Sequence, residues 1–203
     1  MMFFQDTRSI GLIFWIVAAL FVIDAAFVFL GAFYSEMVEL PEYVTDAQGF
    51  CLVVGIGIAV TAVLYAMKAH HTMHKKNTRM ELLQSYVRTV GLCSLLGDSF
   101  VGLAVYLFTN ESLSGMWVTI ATMILGVVLI LVSSYIVNGR KGLLKKAIWV
   151  IIVVSFALMA IESLVPAENE WEFVDHVAHL VIAFFMLALL ADRDIMTDMG
   201  VKS

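Results

Sequence analysis

Residues 9–34 read SIGLIFWIVAALFVIDAAFVFLGAFY, and a single charged residue, Asp24, stands in the whole stretch. A helix rises about 1.5 Å per residue, so some 20 apolar residues cross the ~30 Å of bilayer hydrocarbon. This stretch is long enough to span. A cleavable signal peptide is not expected here, because the basic leading segment and the short apolar core of such peptides are missing. No lipidation motif is found.

The same reading applied along the chain yields five more apolar segments, at 50–67, 89–108, 115–137, 147–165 and 174–191. Lipid cannot satisfy a free backbone, so each is expected to be helical. A β-barrel would show short alternating segments instead. The expected fold class is therefore all-α: a polytopic bundle of six transmembrane helices forming one domain over residues 1–203. Composition agrees. Of 203 residues 62% are hydrophobic and 14% charged, against about 25% charged in a soluble domain, and the mean hydropathy is +0.95. With so little mass outside the membrane, a receptor with its own signalling domain is not expected.

Charge sets the orientation. All twelve Lys and Arg fall before the first segment, after the last, or in the connections that follow segments two and four. Basic residues mark the cytoplasmic side, so both termini are expected there, in a cell-membrane protein. The other connections carry Glu36, Glu39, Glu42 and Asp46, then Glu111, then Glu168, Glu170 and Glu172. Such a face concentrates cations at the outer surface. Residues 75–88 mix basic residues with Met80, Leu82, Leu83 and Tyr86, and a short interfacial helix is expected there.

Three odd-numbered segments share a pattern. Asp24, Asp98 and Glu162 each follow apolar residues and precede a small one, Ala25, Ser99 and Ser163. Three related helical hairpins would give this, as in transporters built from internal repeats. An intramembrane carboxylate costs at least about 2.5–3.5 kcal/mol, so it faces the bundle interior, is paired, or is protonated. Counted from the basic boundary at 1.5 Å per residue, Asp98 lies about 15 Å deep, Asp24 about 20 Å and Glu162 about 24 Å. A structural role would have Asp24 and Asp98 hydrogen-bond Ser94, Ser99, Thr61, Thr119 or Thr122. A functional role would make Asp24, Asp98 and Glu162, with His179 tuning the last, an ion or proton pathway.

Asp175, His176 and His179 share one helix face. With Glu162 they form a His/carboxylate set of the kind that takes zinc, iron or manganese. Haem is not expected, because the other histidines, His70, His71 and His74, lie across the membrane, solvated among lysines. Cys51 and Cys93 are expected as small core residues. Gly55, Gly57, Gly91, Gly97 and Gly102 would allow close helix contact, and Trp15, Trp117, Trp149 and Trp171 would anchor the interfaces. No phosphate loop, nucleophile elbow or basic nucleic-acid groove is present.

The favoured expectation is a small transporter or channel-like protein for a cation or proton, slow or oligomeric for want of a wide pore. The alternatives are a membrane metalloenzyme holding a divalent metal and a non-catalytic subunit or assembly factor of a larger membrane complex.

Overall fold

The computed structural model describes residues 7–34, 40, 43–74, 78–139, 142–167 and 170–201, with the backbone alone for 7, 8, 162, 170 and 171. The α-helical segments are α1 (Thr7–Phe33), α2 (Ala47–His74), α3 (Arg79–Cys93), α4 (Ser99–Phe108), α5 (Ser112–Asn138), α6 (Leu143–Glu162), α7 (Glu170–Leu190) and α8 (Arg193–Asp198). A π turn over Ser94–Asp98 joins α3 to α4 in one rod. Six helices are thus long and apolar enough to cross a membrane, the third running Arg79–Phe108. The chain is an all-α, multi-pass membrane bundle.

The third span begins at Arg79, not at residue 89, and this overturns the interfacial helix expected at 75–88. Residues 75–77 lie outside the described residues. A capping box starts the rod. Thr78 Oγ1 accepts the Glu81 N–H at 3.3 Å and Glu81 accepts the Thr78 N–H at 2.8 Å, which satisfies two donors that a helix start leaves free. The apolar residues that follow do not lie on a membrane surface: Leu83 and Tyr86 are fully buried in the bundle. The second span likewise continues to His74, so Lys68 sits inside a helix rather than in a connection. Lys68 is buried. Its ammonium donates to Ser85 Oγ and stands 5.8 Å over the Phe14 ring, a cation–π contact. Trp149 donates its indole N–H to the Leu190 carbonyl at 3.1 Å. His70, His71 and His74 are exposed, and both cysteines are free and buried, as expected.

Consecutive spans pack as antiparallel hairpins: α1 on α2, α3–α4 on α5, and α6 on α7. α1 also packs on α7, and α2 on α4, while α5 and α6 barely touch. The ring of helices is therefore loose on one side. Only 17% of the most apolar stretch of α5 is buried and 28% of that of α6, against 39–44% for the other spans. At the basic end α8 docks on α3, held by Arg79, whose guanidinium meets Asp192 at 2.5 Å and Asp194 at 2.9 Å.

The core lies toward that same end. Phe14 of α1, Tyr86 of α3 and Phe185 of α7 meet ring to ring, with centroids 4.6, 5.3 and 5.5 Å apart. Tyr65 of α2 stacks at 6.5 Å from Phe14 and 5.7 Å from Phe21. A smaller cluster of Val28, Phe50, Cys51, Val54 and Ala104 ties α1, α2 and α4 together near the other end.

Candidate intramembrane acidic site

Asp24 lies midway along the buried face of α1, between Phe21 and Val28. Its side chain is 0% exposed, and neither carboxylate oxygen has a hydrogen-bond partner among the described residues. The hydroxyl partners expected from sequence are not engaged. Leaving a buried polar group unpaired costs about 1–3 kcal/mol, more for a charged one. Asp24 lines a cavity of about 380 Å³ together with Thr61, Asp98, Asp175 and His179.

Asp98 reaches that cavity from the end of the π turn. A π turn holds one residue more than an α turn and breaks the regular register of the helix faces. Two small residues, Gly97 and Gly57, permit the crossing with α2: a Cβ on Gly97 would stand 2.1 Å from Thr61 Oγ1, and one on Gly57 2.7 Å from the Gly97 carbonyl oxygen. The rod thus presses backbone to backbone against α2 while Asp98 turns to the interior. Ser94, one turn back, stands beside the Asp98 carboxyl, and its hydroxyl donates to the Thr122 carbonyl of α5 at 3.4 Å.

His179 comes from α7. Its Nδ1 lies 3.1 Å from Asp175 Oδ2 and 3.0 Å from the Asp175 carbonyl, a pairing that the four-residue spacing predicts. That nitrogen is thereby fixed on its own helix, and Nε2 is the ring nitrogen left for a neighbour. The ring edge packs on Phe21 at 5.5 Å. Sequence spacing gave the Asp175–His179 pair, but the aromatic wall on α1 carried no signal of its own.

A second cavity, of about 530 Å³, lies on the other side of these groups, between the third span, α5, α6 and α7. Asp98, Thr122, Asp175 and His179 line both cavities. Four of the expected site residues, Asp24, Asp98, Asp175 and His179, are therefore brought together. His176 lines only the larger cavity, and its Nδ1 is 3.1 Å from the Val165 carbonyl. Glu162 closes α6, and its side chain lies outside the described residues. Among the described residues no three His, Cys, Asp or Glu side chains are placed to hold one ion, and the expected metal set with Glu162 lies partly outside those residues.

Of the acidic mouth, Glu36, Glu39, Glu42 and Glu168 lie outside the described residues, as does the side chain of Glu170. Asp46 has a structural task, accepting the Gly49 N–H at 3.0 Å where α2 begins. Comparison with known proteins finds no match, whether to a protein-family model, a curated sequence or a solved structure. The class defined by the fold and the site is a six-span helical membrane protein with an acidic interior.

Proposed function

We propose that the chain moves a proton or a small cation across the cell membrane, with Asp24, Asp98 and the Asp175–His179 pair as the groups that carry it. The observation that supports this most is Asp24. A carboxyl group inside a membrane bundle, fully buried and without a hydrogen-bond partner among the described residues, contributes nothing to folding that an apolar residue would not contribute better. It lines a cavity with a second carboxyl, Asp98, and with a histidine already oriented by Asp175. In this reading Asp98 is the central station, and His179 Nε2 exchanges a proton with the carboxyls around it. The aromatic cluster at the basic end is the seal on one side, and the basic residues make that side cytoplasmic. Glu162 belongs to the same path as an outer step.

The test is flux into proteoliposomes, with proton and alkali-cation gradients imposed separately. Asp24→Asn and Asp98→Asn keep the side-chain shape and are each expected to lower flux at least ~10-fold, a loss of about 1.4 kcal/mol at the barrier. Wild-type flux in both variants, correctly inserted, would sink the proposal.

A further inference from the structure

The larger cavity is two-sided in chemistry. Asp98, Asp175 and His179 stand on one wall, while Leu125 of α5 and Phe156 and Leu158 of α6 stand on the other. Leu125 is 49% and Leu158 60% exposed, although both line the cavity. Residues that face a cavity and the surroundings at once mark its opening, and here it lies between α5 and α6, the two neighbouring spans that barely touch. In a bilayer that opening gives onto lipid, not water. A hydrated inorganic ion needs neither a hydrocarbon wall nor a lateral entrance.

The charge on the deep wall narrows the occupant. Neither cavity is lined by Lys or Arg among the described residues. Two carboxyls, of Asp98 and Asp175, and two imidazoles, of His176 and His179, line the larger one, and Asp24 lies beyond them with both oxygens buried and unpartnered among the described residues. A phospholipid would bring its phosphate against these carboxyls, a like-charge contact in a low-dielectric place. An ammonium head brings a positive charge and three N–H donors, which carboxylates accept. The cavity, about 530 Å³, is in the size range of small-molecule sites.

We propose that this site takes a lipophilic amine, one protonated amino head on a hydrocarbon tail, which enters sideways from the bilayer between α5 and α6. The head meets Asp98 and Asp175, and the tail lies against Leu125, Phe156 and Leu158. The inference rests on the transport reading, for which it names the cation's chemical class.

The test uses the full chain in phosphatidylcholine nanodiscs with dodecylamine carrying a diazirine in its tail, beside dodecanol carrying the same group. Mass spectrometry maps the photolabel. The amine probe is expected to label the α5 and α6 segments around Leu125 and Leu158 at least ~10-fold more than the alcohol, equivalent to about 1.4 kcal/mol of head-group selectivity. Unlabelled dodecylamine should compete, and Asp98→Asn should remove the preference. Equal labelling by amine and alcohol overturns the inference, because the gap then holds any lipid chain. No labelling, with the protein dimeric by light scattering, overturns it as well and puts a second copy over the gap. Flux measured on the same protein separates the two levels: either negative result with proton flux intact leaves the transport reading standing. Amine-selective labelling without flux of proton or amine keeps the site and removes transport.

Discussion

At the basic end of the bundle Phe14, Tyr86 and Phe185 fill the space between three helices ring against ring, and α8 is strapped on by Arg79. Toward the acidic end the same helices part around two cavities whose common wall is Asp98, Thr122, Asp175 and His179. One half spends its side chains on packing, and the other withholds packing and keeps unpaired acid in its place. The difference teaches how a small bundle tolerates a costly interior. The aromatic half supplies the stability, and the acidic half is left free to be built for binding.

The comparison breaks most easily at Phe14, which is fully buried and touches Tyr65, Tyr86 and Phe185. Phe14→Ala should cost about 3–5 kcal/mol and make proteoliposomes leaky. Thermal unfolding in detergent, followed by tryptophan fluorescence, reads the first effect and dye retention the second. An unchanged midpoint would mean that the rings do not hold this half together.

Asp24 tests the other half with the opposite sign. Asp24→Leu removes a buried acid that makes no hydrogen bond among the described residues, so stability should rise by about 1–3 kcal/mol while flux disappears. A fall in the unfolding midpoint would show that Asp24 works as a structural residue. The smallest effect belongs to the strap. Arg79 is partly exposed, and Arg79→Gln should cost about 0.2–1 kcal/mol, less at high salt. A loss independent of salt would point to packing of the Arg79 stem instead.

The number of spans and the carboxyls inside them were legible because both are written in composition: long apolar runs, and charges that break them. The spacing of Asp175 and His179 was legible because a helix repeats every 3.6 residues. Lys68 and Tyr86 were misplaced for the same reason in reverse. A lysine beyond Met67 and a mixed stretch after Lys75 look like a membrane boundary, but Lys68 is satisfied by Ser85 and the Phe14 ring, and Tyr86 packs against residues far away in sequence. Tertiary partners, unlike periodicity, leave no local trace. The π turn was equally hidden. Ser94–Asp98 contains nothing that distinguishes it from an α-helical stretch until α2 presses on Gly97.

That π turn makes the third span something other than a fixed post. An α-helix advances about 100° around its axis with each residue, and the turn before Ser99 holds one residue in excess of the α count. Were that excess handed on toward Phe108, the stretch it passed would rewind and Asp98 would swing by about that angle, away from the wall that the two cavities share, with both ends of the rod staying where they are. In that event the span would work as a rotary joint, with the one spare residue as its bearing and the acid it carries as the part that turns.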